Sequence, residues 1–98
     1  MDTGPGRAVV GRDETVRHLT RARRRVLEEL VRCGPGTTTE IAQCWVDDDA
    51  EVDAAFAGRL PVMVTDLVWR LVALGWVEGE GDRYEITEAG RTALSQVA

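Results

Sequence analysis

The sequence has no lysine, one histidine, one serine and two cysteines among its 98 residues, and aromatic side chains make up only 5% of it. Two cysteines are too few to hold a small secreted domain together by disulfides. His18 has no other histidine or cysteine at zinc-ligand spacing. Ser95 has no matched base, and no glycine-rich phosphate loop is present. We therefore expect a protein that is not an enzyme and that binds no metal and no cofactor.

Long apolar runs are also missing from the chain. No stretch is long enough to span a membrane, and the first fourteen residues, MDTGPGRAVVGRDE, hold no apolar core of signal-peptide length. These absences predict a cytoplasmic protein without a membrane partner. A chain of 98 residues suits one domain with a single modest core.

The charges are divided unevenly along the chain. All twelve basic residues are arginine, and residues 1–36 contain eight of them against five acids, a net charge of +3. Residues 37–98 contain four arginines against twelve acids, a net charge of −8, and the two parts sum to the overall −5. A DNA-binding surface normally carries positive potential, because phosphate contacts supply most of the affinity. The second part of the chain has the opposite sign.

The most informative pattern lies in residues 67–94, LVWRLVALGWVEGEGDRYEITEAGRTAL. Its first leucines and valines recur at helical spacing, and Gly75 supplies the left-handed conformation that ends a helix. Residues 76–86 predict a two-stranded hairpin with a glycine-rich turn. Thr87 is placed to cap a final helix over 88–97.

In this order of elements the chain resembles the MarR and PadR families of bacterial winged-helix regulators. The matching pieces are Leu74-Gly75-Trp76-Val77, the hairpin, the run YEITEAGR over 84–91, and Thr39-Glu40-Ile41-Ala42 at the start of the family's second helix. Together they span about two thirds of the chain. The resemblance implies an α+β fold, a winged helix-turn-helix that is mostly helical with a two-stranded β-hairpin as its wing.

The rest of the chain supplies the other elements of such a domain. We expect a flexible segment over 1–12 and a single winged-helix domain over 13–98. Thr37 and Glu40 have the spacing of a capping box, which opens the second helix. The expected boundaries are helix 1 over about 13–32 capped by Asp13, helix 2 over about 38–46, an insert over 47–60 with a short extra helix capped by Asp47–Asp49, the recognition helix over about 61–74 opened by Pro61, the wing over 76–86 and the final helix over 88–97.

The resemblance implies a small transcriptional regulator whose partner is double-stranded DNA. On the recognition helix, Arg70 could bond guanine or phosphate in a major groove. Helical spacing places Trp69 outward as well, although a slightly rotated helix would bury it. The candidate DNA contacts are Thr38 and Thr39 at the start of helix 2, Thr65, Trp69 and Arg70 on the recognition helix, and Arg83 in the wing.

The acidic second part of the chain favours an alternative function, an acidic winged-helix module for protein–protein interaction that binds a basic partner and not DNA. A phage-encoded inhibitor or antirepressor would be one example. Trp69 fits this interpretation, because tryptophan is enriched among the residues that contribute most to protein interfaces. The candidate residues for this alternative are Asp47, Asp48, Asp49, Asp66, Trp69 and Glu80.

The cysteines and the arginines of residues 21–25 have two interpretations each. The arginines form either an anion-binding patch or, as we favour, a solvated face paired with Glu28 and Glu29 at helical spacing. Cys33 and Cys44 are expected to be inert small hydrophobes, with a redox switch of the kind that some MarR-like proteins use as the alternative.

A homodimer formed through the N-terminal helix is also left open.

Overall fold

The computed structural model describes residues 18–97, which form an α+β architecture of four helices and one antiparallel hairpin. The elements, in chain order, are α1 Arg21–Cys33, α2 Thr38–Asp48, α3 Ala54–Ala73, β1 Val77–Glu80, β2 Arg83–Ile86 and α4 Glu88–Val97. The expected α+β class is therefore observed. The predicted flexible segment over 1–12 and the predicted cap at Asp13 lie outside the described residues.

Helix α1 begins later than the sequence predicts. The helix expected over 13–32 is interrupted, because Leu19 and Thr20 are not helical and the Thr20 hydroxyl accepts a hydrogen bond from the Arg23 backbone N–H at 3.2 Å. A threonine in this position satisfies one of the free N–H groups at a helix start. The apolar side chains that α1 then buries are Val26, Leu27 and Leu30.

Helix α2 begins at the predicted capping box. The Thr37 hydroxyl accepts a hydrogen bond from the Glu40 N–H at 3.1 Å, and the Glu40 carboxylate accepts one from the Thr37 N–H at 2.9 Å. These two bonds satisfy N–H groups of the first turn from within the helix. The helix ends at Asp48, two residues later than predicted, and it buries Ile41, Ala42 and Trp45.

The second half of the predicted insert, residues 54–60, joins the predicted recognition helix in one continuous helix, α3, while residues 47–48 belong to the end of α2. Asp47–Asp49 do not cap it, since α3 begins after Asp53, whose carboxylate accepts a hydrogen bond from the Phe56 N–H at 2.7 Å. Pro61 lies inside the helix instead of opening it, and it removes one backbone hydrogen bond there. The helix continues because apolar side chains at helical spacing are buried on both sides of the proline. These side chains are Leu60, Val64, Val68 and Leu71.

The hairpin follows α3 after a sharp turn at Gly75, whose φ of 80° is strained for any residue with a Cβ. The strands pair in one register, with Val77 opposite Ile86. The free edge of β2 pairs with the loop between α1 and α2, where the Gly36 N–H donates to the Tyr84 carbonyl at 3.0 Å and the Tyr84 N–H donates to the Gly36 carbonyl at 2.8 Å. Strand β2 is therefore bonded along both edges.

Helix α4 completes the fold, and its predicted cap is confirmed because the Thr87 hydroxyl accepts a hydrogen bond from the Gly90 N–H at 3.1 Å. The core is built mainly from α1, α2 and α3, to which the hairpin adds Val77 and Ile86. Among the described residues, no helix combines the length and the apolar character needed to cross a bilayer.

Candidate functional site

Three large apolar side chains are exposed along one side of α3. Trp69 is 71% exposed, Val62 is 75% exposed and Val72 is 41% exposed. The prediction that Trp69 points outward is therefore confirmed, and the alternative that it is a core residue is wrong. We call this surface the Trp69 face, and its members are Val62, Thr65, Asp66, Trp69, Arg70, Val72 and Ala73.

A small notch lies next to Trp69, between α3 and the hairpin. Its volume is about 120 Å³, and its walls are Val68, Trp69, Val72 and Tyr84. The Tyr84 ring packs directly over Gly79, because a Cβ on that glycine would lie only 2.7 Å from the Tyr84 Cε1 atom. The absence of a side chain at Gly79 thus lets the ring lie flat on the hairpin and close one side of the notch.

The hairpin does not present a free arginine. Arg83 donates a hydrogen bond to the Pro35 carbonyl at 2.8 Å, and its guanidinium lies 3.5 Å from the Glu40 carboxylate. These two interactions hold Arg83, the predicted DNA-binding residue of the wing, against the start of α2. The other exposed charges of the two strands are acidic and belong to Glu78, Glu80 and Glu85.

The start of α2, the predicted phosphate site, already faces a carboxylate. Thr39 is exposed and Thr38 is half-buried, so at least Thr39 is accessible to a phosphate. The Glu40 side chain, however, turns back to the Thr37 N–H, where a phosphate oxygen would otherwise bind. A phosphate at this position would have to displace that carboxylate or approach against its charge.

The acidic residues at the end of α2 are paired within the protein. Asp48 lies 3.2 Å from Arg25 and 3.5 Å from Arg32, and Asp49 lies 3.7 Å from Arg25. Asp47 accepts a hydrogen bond from the Gln43 side chain at 2.9 Å. Asp48 and Asp49 therefore neutralise arginines of α1 and contribute less to a free acidic surface than the sequence suggests.

The pairing of the α1 arginines supports the solvated-face interpretation. Arg24 bonds Glu28 at 3.1 Å and Arg25 bonds Glu29 at 2.8 Å, both four residues apart on the helix. Glu29 also accepts a hydrogen bond from Arg32 at 3.1 Å, although its side chain is only 2% exposed. Arg25 and Arg32 also contact Asp48, so these two arginines and Glu29 form a charged network that extends from α1 to α2. The helical spacing indicated only the pairs within α1.

The structure joins Cys33 and Cys44 in a disulfide, so the two residues are not the separate small hydrophobes that the sequence predicts. Their Cα atoms are 6.8 Å apart, within the range that a disulfide spans. The bond links the end of α1 to the middle of α2, and only the packing of these helices brings the two residues together. The Cys44 Sγ atom lies 3.0 Å from the Glu29 carboxylate and 3.3 Å from the Arg32 guanidinium.

The sequence therefore predicted the outward position of Trp69 but did not indicate Tyr84 and the exposed Val72, which complete the notch. Tyr84 alternates with charged neighbours along its strand, and that alternation was the available signal. Val72 is one of the leucines and valines whose helical spacing predicts one apolar stripe, but its side chain is exposed. Comparison of the chain with protein-family models, with curated proteins and with solved structures found no match. The assignment of a function rests on the geometry above.

Proposed function

We propose that the four helices and the hairpin form a winged helix-turn-helix domain, in which α2 and α3 are the helix pair and β1 and β2 are the wing. The order of elements supports this assignment, as does the pairing of Gly36 with Tyr84, which adds a third extended segment to the hairpin. The length of α3 is the main departure from a minimal pattern, because its first two turns precede the segment that resembles a recognition helix.

We infer that this domain is a protein-interaction module that binds its partner through the Trp69 face. The observation that carries this proposal is Trp69, 71% exposed beside the notch and between two other exposed apolar residues of α3. Tryptophan is enriched among the interface residues whose truncation to alanine weakens binding by about 2 kcal/mol or more. The notch of about 120 Å³ suits one apolar anchor side chain of a partner.

The charges around this surface favour a basic partner. Asp66 and Arg70 both lie on the Trp69 face and offset each other, and the acidic excess comes from the neighbouring hairpin, which exposes three glutamates while its arginine is bonded internally. Potentials of opposite sign across an interface increase the rate of encounter and select against wrong partners.

A library of random peptides displayed on phage tests this proposal, with the wild-type chain as bait. The selected peptides should combine a large apolar residue with arginine or lysine, and Trp69→Ala should weaken their binding by at least about thirty-fold, or about 2 kcal/mol. Val31→Ala is the matched control, because Val31 is an exposed apolar residue of α1 away from this face. Peptides that bind Trp69→Ala as tightly as the wild type would refute the proposal.

The second candidate function is the DNA-binding regulator. The observation in its favour is that Thr65, Trp69 and Arg70 are all exposed on α3, as groove contacts would have to be. Arg70 forms none of the ion pairs described above, so its guanidinium could reach a base or a phosphate. Against this function stand the internal bonds of Arg83 and the carboxylate at the start of α2.

A further inference from the structure

The Cys33–Cys44 disulfide lies in an open cleft on a different part of the molecule from the Trp69 face. The cleft has a volume of about 470 Å³ and lies between the end of α1, the first turns of α2 and the hairpin. Its walls carry charges of both signs, Arg32 and Arg83 against Glu40 and Asp47. The cleft is open to solvent and leads to both cysteines of the disulfide.

The two sulfur atoms differ in their surroundings. Cys33 is exposed at the end of α1, whereas Cys44 is only 7% exposed on the inner side of α2. Thiol–disulfide exchange depends on access to the sulfur that is attacked and on how well the other sulfur accepts negative charge. Access therefore selects Cys33 as the atom that an incoming thiol attacks.

The groups around Cys44 suit a leaving sulfur. The Arg32 guanidinium lies 3.3 Å from the Cys44 Sγ atom and can stabilise negative charge as it develops there. The Glu29 carboxylate, 3.0 Å from the same atom, opposes a lasting thiolate there and accepts a hydrogen bond from the Cys44 S–H once that sulfur is protonated, so Cys44 leaves as a thiol. Cys33 is not among the hydrogen-bond partners of either group in the described part of the chain.

We propose that the disulfide is a thiol-exchange site for a small-molecule thiol, with Cys33 as the residue that becomes modified and Cys44 as the leaving group. This proposal does not rest on the function of the Trp69 face. The incoming thiolate forms a bond to the Cys33 sulfur, and the electron pair of the broken bond passes to the Cys44 sulfur. The incoming thiol has released one proton to solvent, and the Cys44 sulfur takes up one proton in its place. The resulting Cys44 thiol donates a hydrogen bond to Glu29.

A second small thiol completes the exchange. Its thiolate attacks the small-molecule sulfur of the mixed disulfide and the electron pair of the broken bond passes to the Cys33 sulfur, which is protonated, so the products are a small-molecule disulfide and a protein with two thiols. Two small thiols are thereby oxidised to one disulfide, and the protein gains two electrons and two protons. The covalent link between α1 and α2 is lost in the first step.

Glutathione is the probe for the test, added briefly to the oxidised full-length chain and quenched in acid. Peptic digestion at low pH and mass spectrometry should find the adduct on Cys33 in at least about tenfold excess over Cys44, because only Cys33 is accessible in the folded chain. In concentrated urea the excess should disappear. A preference for Cys44, equal modification of the two in the folded chain, or no reaction at all would overturn the proposal.

Variants of Arg32 test its part in the exchange. Arg32→Gln should slow the first exchange about tenfold, the scale of one charge-assisted hydrogen bond. Arg32→Lys, which keeps the charge, should retain most of the rate and also serves if Arg32→Gln fails to fold. Arg91→Gln on α4 is the matched control and should react like the wild type. An unchanged rate in Arg32→Gln would remove Arg32 from the mechanism.

Discussion

Glu29 is the only charged side chain that is buried in the described part of the chain, at 2% exposure. A buried carboxylate is costly unless it is paired and hydrogen-bonded. Arg25 and Arg32 each form an ion pair and a hydrogen bond with Glu29. Each of these arginines also contacts Asp48 at the end of α2. Through these two arginines, the buried Glu29 carboxylate of α1 is linked to the exposed Asp48 carboxylate of α2.

Glu29→Gln should lower the free energy of unfolding by about 1–3 kcal/mol, because the substitution removes the charge that both arginines contact. The arginines are partly exposed and can still pair with Asp48, so the loss should stay below that of a fully buried ion pair. Urea denaturation measures the effect, and Glu28→Gln, an exposed partner of Arg24, is the control with a change below about 0.5 kcal/mol. Equal effects of the two substitutions would contradict this account of Glu29.

At the residue scale, contacts that are local in sequence were predictable and distant ones were not. The caps at Thr37 and Thr87 follow from spacings of three residues, and the outward position of Trp69 follows from the helical period. The disulfide depends on how α1 packs against α2, and its residues are eleven positions apart. Spacing within one helix carries no information about such a contact.

At the scale of elements, the unbroken course of α3 through Pro61 is the main difference from the predicted boundaries. A proline in this position usually marks a helix start or a break, because it lacks an N–H group and crowds the preceding turn. Burial of Leu60 and Val64 on either side of it outweighs that cost. The prediction failed because it weighed the proline as a local signal and could not weigh the tertiary packing.

Pro61→Ala should raise the free energy of unfolding by about 1–3 kcal/mol, because alanine restores the missing backbone hydrogen bond and Pro61 is exposed, so that no core contact is lost. Thermal and urea denaturation measure the change. Ala57→Gly, one turn earlier in α3, should have the opposite sign. Destabilisation by Pro61→Ala would mean that the proline sets a bend on which the packing of α3 depends.

On the scale of the whole molecule, the uneven charge that the sequence shows is only partly visible at the surface. Asp48 and Asp49 are paired with arginines of α1, whereas the acids of the hairpin remain exposed. The excess of exposed acids on the hairpin could therefore be predicted from the sequence. Which of the other acids stay unpaired could not, because the ion pairs depend on tertiary contacts.

Fluorescence anisotropy with a labelled pool of mixed duplex DNA separates the two candidate functions. The wild-type chain should show no binding at about 10 μM protein even in low salt, because the exposed charges of the predicted wing are mostly acidic and its arginine is bonded internally. Binding that falls steeply with salt, and that Arg70→Ala weakens while Arg91→Ala does not, would favour the DNA-binding regulator over the protein-interaction module.

The bonds along both edges of β2 have a consequence for how the notch meets a ligand. Tyr84 is held by Gly36 on one side and by β1 on the other, and Arg83 adds a further bond to the same loop. A wall fixed in this way has already lost its conformational entropy before any encounter, so association need not order it. Binding at the notch should then resemble the docking of rigid bodies, with little structural change on either side of Trp69.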